Sequence, residues 1–217
     1  MKNSINYRRI AAIALFVWGL NAGAASATTI TLGGFTFDAT AFPTAASFVS
    51  GGPANFSFPT TGTVNGDLLK ATDSDLTSYM FGPPVDFTVT FGNGALQNRS
   101  GADFVIFELG GVDNVSVKVG STINTYLTVF TNTSAVNTNL NAIAIDLSDF
   151  GIASNDLVSS LEISNASGAS SVSASIDAIG GLNTASSSVP EPATYASLAG
   201  GLALLGLCRR RLPGLRS

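Results

Sequence analysis

The chain has 217 residues, a formal net charge of −4, no histidine and a single cysteine, Cys208. Ser-His and Cys-His nucleophile schemes and His-bearing zinc sites therefore lack an essential residue, and one cysteine closes no intrachain disulfide. The excess of acids repels phosphate, which argues against nucleic acid as a partner.

At the start, Lys2, Arg8 and Arg9 precede the apolar run Ile10 to Leu20, and Ala25-Ser26-Ala27 follows. A basic region, a short apolar region and small residues in that order form a secretory signal peptide over residues 1–27, with Ala25 and Ala27 at the cleavage positions. The run is short of the ~20 residues of a membrane span, so cleavage by signal peptidase is favoured over a retained anchor. The secretion machinery then delivers a mature chain that begins near Thr28.

Between Thr28 and Ser188 there are thirteen acids and three bases, a net charge of −10 that the whole-chain value hides. Such an ectodomain is compatible with neutral sugars or divalent cations. Its strands are short. Thr29 to Leu32, Phe35 to Phe37 and Phe56 to Phe58 are the first expected. Val85 to Phe91 alternates apolar and polar residues strictly, the period of a half-buried strand. Asp103 to Leu109, Val115 to Val119, Tyr126 to Phe130, Ala142 to Leu147, Leu161 to Ser164 and Val172 to Ile179 follow, separated by segments rich in Gly, Asn, Ser and Thr. No helical pattern of useful length intervenes, although a single turn over Asp146 to Gly151 could be capped by Ser148 or Asp149. The fold class is all-β, a β-sandwich over residues 28–183 large enough to bury its own core.

The acids hold whatever chemistry the domain has. Alternation puts Asp103, Val105 and Phe107 on one face of their strand, and Phe104, Ile106 and Glu108 on the other, so Glu108 shares a face with large apolar groups. Asp177 falls with Ser173 and Ser175, opposite Val172, Ala174, Ile176 and Ala178. Asp73 and Asp75 form a D-x-D turn whose hard oxygen ligands suit Ca²⁺, without the Gly and terminal Glu of an EF-hand. Asp73, Asp75, Glu108 and Asp177 are thus the candidate metal ligands, with Ca²⁺ the one cofactor considered; the competing reading is turn capping and a solvated acidic surface. Tyr79, Phe81 and Tyr126 could stack on a sugar. A carboxylate-pair glycosidase needs two acids in a cleft and remains an alternative on residue types alone, but the domain is expected not to be an enzyme.

Residues 184–188 form a small polar linker. Beyond it stand Val189-Pro190-Glu191-Pro192, an apolar membrane helix over 193–208, and a basic tail over 209–217 that opens with Arg209, Arg210 and Arg211. The prolines hold the backbone extended, the apolar run enters a bilayer, and the arginines stay cytoplasmic as an anchor. The order of motif, helix and arginine cluster over 189–217 resembles the PEP-CTERM family of bacterial surface proteins. That resemblance implies recognition by an exosortase-like membrane protease and release to the surface or matrix. It also implies export across the inner membrane of a Gram-negative bacterium with transient single-pass anchoring.

A second resemblance spans residues 65–182. Ala71-Thr72-Asp73-Ser74-Asp75-Leu76-Thr77-Ser78-Tyr79, the strand Val85 to Phe91, Asp103-Phe104-Val105-Ile106-Phe107-Glu108 and Ser175-Ile176-Asp177-Ala178-Ile179-Gly180 are similar to stretches of galactose-binding-like jelly rolls of cell-surface proteins. This implies a jelly-roll-like sandwich. An adhesive or structural role in the biofilm matrix follows as the expectation. The alternative is a Ca²⁺-assisted lectin-like module binding extracellular polysaccharide.

Overall fold

The structure is a computed structural model and describes residues 28–51, 54–92, 95–165 and 173–185, all within a compact unit spanning Ala27–Ser187. The expected signal peptide with Ala25 and Ala27, the end of the expected linker, the motif at Val189 to Pro192, the expected membrane helix, Arg209 to Arg211 and Val172 lie outside the described residues. Among the described residues no helix is long and apolar enough to cross a membrane.

The chain forms β1 (Thr29–Leu32), β2 (Phe35–Asp38), β3 (Ala45–Gly51), β4 (Asn55–Phe56), α1 (Val64–Lys70), β5 (Met80–Phe81), β6 (Val85–Thr90), β7 (Leu96–Gln97) and β8 (Phe104–Leu109). It continues with β9 (Asn114–Val119), β10 (Thr122–Leu127), β11 (Val129–Ala135), β12 (Thr138–Ile145), a 3₁₀ turn (Leu147–Phe150), β13 (Leu157–Val158), β14 (Ser160–Ser164) and β15 (Ile176–Gly181). A five-stranded sheet has the order β10-β9-β14-β6-β3, and a four-stranded sheet the order β11-β12-β8-β15. Three two-stranded ladders, β1-β2, β13-β7 and β4-β5, accompany them. Every pairing between these strands is antiparallel.

The period-2 pattern explains how the two larger sheets meet. Val85, Phe87 and Val89 on β6 are buried while Asp86, Thr88 and Thr90 between them are not. They join Val115, Val117, Leu161 and Ile163 of their own sheet and Phe104, Ile106, Ile145, Ile176 and Ile179 of the other in one core cluster. This is the layering expected of a β-sandwich, with apolar burial as its main stabilising term.

Strand β8 departs from alternation because both of its faces are covered. Phe104 and Ile106 point into the core between the sheets, while Val105, Phe107 and Leu109 enter a second cluster with Phe37, Ala41, Phe42, Leu140 and Ala178. The β1–β2 hairpin supplies that cover: Phe107 meets Phe35 and Phe37 edge-on, with ring centroids 6.0 Å away in each case. Gly180 lets Phe37 approach, since a Cβ there would stand 2.7 Å from Phe37 Cε1. A continuous apolar run is the signature of a strand buried on both faces.

Several expectations are corrected. Helix α1 exists, capped by Thr63, whose hydroxyl accepts from Gly66 N–H; seven residues are too few to reveal a helical period. Strand β3 was not foreseen, because only Ala46 of its residues is buried and no alternation results. The expected strand Tyr126 to Phe130 is two: Tyr126 lies in β10 of one sheet and Val129 opens β11 of the other, with buried Thr128 at the crossing. Strand β4 stops at Phe56, and β12 begins earlier than Ala142. The turn after β12 is capped by Asp146, whose Oδ1 accepts from Ser148 N–H at 2.8 Å, and not by Ser148 or Asp149. On β15 the register shifts between Ile176 and Ala178. That bulge turns Ala178 to the second cluster and Ile179 to the main core, against the simple alternation expected.

Candidate functional site

The D-x-D loop follows α1 directly, and its local geometry is that of two consecutive Asx turns. Asp73 Oδ1 accepts from Asp75 N–H at 2.6 Å, and Asp75 Oδ1 accepts from the N–H and hydroxyl of Thr77 at 2.9 and 2.6 Å. Asp75 Oδ2 accepts from the Ser78 hydroxyl at 3.0 Å. Just before the loop, the Thr72 carbonyl accepts from Ile179 N–H at 3.2 Å, which docks the segment on β15 beside Asp177.

Asp177 occupies the bulge. It is fully buried, and neither of its carboxylate oxygens has a hydrogen-bond partner. Burial, followed by the charges of Asp75 and Asp73, pushes its carboxyl up to about 8. Asp73 is raised as well, first by burial, while Asp75 is lowered, chiefly by the Thr77 hydroxyl. Asp103 shows the contrasting way to bury an acid: its oxygens accept from Arg99 N–H, Asn183 Nδ2 and Leu147 N–H, each at 2.9 Å. An acid with three donors is structural; one with none invites a ligand.

Glu108 does not join this group. Its Oε2 accepts from the Thr128 hydroxyl and from Asp113 N–H, and burial, aided by the Asp113 carboxylate, pushes it up to about 7. The four candidate ligands thus divide into Asp73, Asp75 and Asp177 on one side and Glu108 on the other. Among the described residues no three acids are grouped closely enough to hold a metal by themselves. A cation at Asp177 would draw further ligands from hydroxyls, carbonyls and water, which Ca²⁺ accepts.

Three residues of the Glu108 surroundings were missed by sequence reasoning: Asp113, Thr128 and Asn141. They come from different strands and turns, and only the strand register brings Asn141 opposite Glu108.

The aromatics divide by environment. Tyr126 packs against Phe150, with ring centroids 6.2 Å apart, and its hydroxyl donates to Asp149 Oδ2 at 3.1 Å. Tyr79 and Phe81 pair at 5.8 Å next to the D-x-D loop, and Phe81 is exposed. On the outer face of the five-stranded sheet, Asp86, Lys118, Ile123 and Glu162 line a shallow depression. There Lys118 and Glu162 form an ion pair of 2.8 Å.

Residues 188–211 match the PEP-CTERM protein-sorting motif. The chain therefore carries that sorting motif, over the segment that holds Val189 to Pro192 and Arg209 to Arg211. No curated protein matches the chain.

Proposed function

We propose that this protein is exported, held transiently in the inner membrane by its C-terminal segment, and passed by an exosortase-like protease to the cell surface or extracellular matrix of a Gram-negative bacterium. The match over residues 188–211 carries this reading, and the motif marks an exosortase-sorted exported surface protein. Signal peptidase and the secretion machinery act first, on residues 1–27. After sorting, the acidic β domain serves an adhesive or structural role, with extracellular polysaccharide as its partner and no nucleic acid. A non-catalytic role is favoured because both acids with strongly raised pKa values, Glu108 and Asp177, are fully buried.

One set of observations favours a second reading, a Ca²⁺-assisted carbohydrate-binding module on a jelly-roll-like sandwich. The partnerless carboxylate of Asp177 beside Asp73 and Asp75 supports a cation, and the neighbouring Tyr79–Phe81 pair offers a surface on which a sugar could stack.

The sorting reading is tested with a triple variant, Pro190→Ala, Glu191→Ala and Pro192→Ala, followed by cell fractionation. The variant is expected to accumulate in the inner membrane with its tail attached. Export of the variant with the same processed mass as the wild-type protein would overturn the role assigned to the motif.

A further inference from the structure

We propose that Glu108, Asn141 and Asp113 form a binding site for a hard divalent cation of the Ca²⁺ class, separate from Asp177 and independent of it. Glu108 on β8 and Asn141 on β12 are direct cross-strand partners, so their side chains stand on one face of the sheet within contact range. Both residues are fully buried. The Asn141 amide is oriented by two backbone acceptors: its Nδ2 donates to the carbonyls of Gly110 at 3.3 Å and Gly111 at 2.6 Å. That leaves Oδ1 turned away from them without a partner. Glu108 is fixed in the same manner, with Oε2 taken by Thr128 and Asp113 N–H, and Oε1 unpartnered.

Two buried acceptor oxygens on paired residues, with no donor for either, would each cost about 1–3 kcal/mol if nothing met them. Among the described residues no basic side chain is available for the purpose. Lys118 is paired with Glu162, Arg99 donates to the Gln97 side chain, and the ammonium of Lys70 sits 4.4 Å from the centre of the Phe58 ring. Asp113 is half-buried, its N–H donates to Glu108 Oε2 and its charge acts on the Glu108 carboxyl, so it stands where it can add a third ligand on the solvent side.

The donor set is oxygen only, mixing carboxylates with an amide carbonyl. Ca²⁺ takes such ligands in flexible geometry and fills the remaining positions with water. Few protein ligands imply weak binding, about 10⁻⁴–10⁻³ M, the range of extracellular modules. Thr128 marks the passage from β10 to β11, and so from one sheet to the other. A cation here would fasten the β8–β9 turn, that passage and β12 together.

The test uses the exported protein carrying Asp177→Asn, which silences the other site, stripped with chelator and titrated with CaCl₂ by calorimetry. One Ca²⁺ per chain is expected, and Glu108→Gln added to this background should weaken it at least tenfold. Asp113→Asn, a near-isosteric change at a half-buried turn position, should weaken it too. No uptake by the Asp177→Asn protein up to about 10 mM, ten times the weak end of that range, would overturn the proposal and leave a protonated Glu108 carboxyl in its place. Unchanged affinity in the Glu108→Gln and Asp113→Asn proteins would overturn it equally.

Discussion

In chelator at pH 7, Asp177→Asn is expected to raise the melting temperature by several degrees, an unusual outcome for a change in a fully buried residue. Asp177 ionises at its ordinary value of 3.8 in the unfolded chain and holds its proton up to about 8 in the folded one. Below pH 3.8 both states bind the proton and folding meets no penalty. Between the two values the folded state binds more protons, so stability falls as pH rises, by about 1.4 kcal/mol per unit. Above about 8 the loss is complete. At pH 7 the deficit is on the order of 4 kcal/mol. Asparagine has no proton to lose; its own unpartnered amide gives back about 1–3 kcal/mol of the gain. Calcium offsets that gain, because at the Asp177 site a ligand at a hundred times its dissociation constant adds about 2.7 kcal/mol to the wild type and nothing to the variant, over and above what the Glu108 site adds to both. Thermal melts of both proteins across pH 4 to 9, with chelator and with CaCl₂, decide the matter. A variant less stable than wild type in chelator at pH 7, or an equal response of both to calcium, would rule out this account of Asp177.

The second large effect lies in the apolar cluster beneath the N-terminal hairpin. Phe107→Ala should cost about 3–5 kcal/mol in chemical denaturation, since the ring is fully buried and its removal leaves a cavity that the surroundings fill only in part. That is a large share of the 5–15 kcal/mol typical of a domain. The damage should also be local. Phe35 and Phe37 both rest on Phe107, so amide exchange over 29–38 should accelerate far more than over 85–90, whose buried side chains Val85, Phe87 and Val89 pack in the other cluster. Equal acceleration in both segments would mean that the hairpin is held by something other than this contact.

Strand β6 was legible in the sequence because one buried face and one open face leave a period of 2 on the page. Strand β8 was legible as a strand, but its second cover was not, since that depends on where the β1–β2 hairpin folds back. The same limit explains Thr128. A single polar residue between Tyr126-Leu127 and Val129-Phe130 reads as part of one short strand, and nothing local shows that the chain changes sheets there. Helix α1 offered only its cap, Thr63, and a single acid in its first turn, Asp67. The acids of the candidate sites were legible as types and not as groups. Asp73 and Asp75 declared their turn, whereas the bulge at Asp177 arises from pairing with β8. Likewise, Glu108 acquires Asn141 through strand register. Such partners are set by tertiary structure, so spacing along the chain carries no trace of them.

The sorting of this chain is most directly examined by the intact mass and cellular location of the mature protein, in cells with and without the exosortase-like protease. With the protease, the expected protein lies outside the cell, starts near Thr28 and ends between Val189 and Pro192; without it, the tail stays attached in the inner membrane. A mass that reaches Ser217 in the inner membrane of both strains would contradict surface delivery and leave a membrane-anchored periplasmic protein.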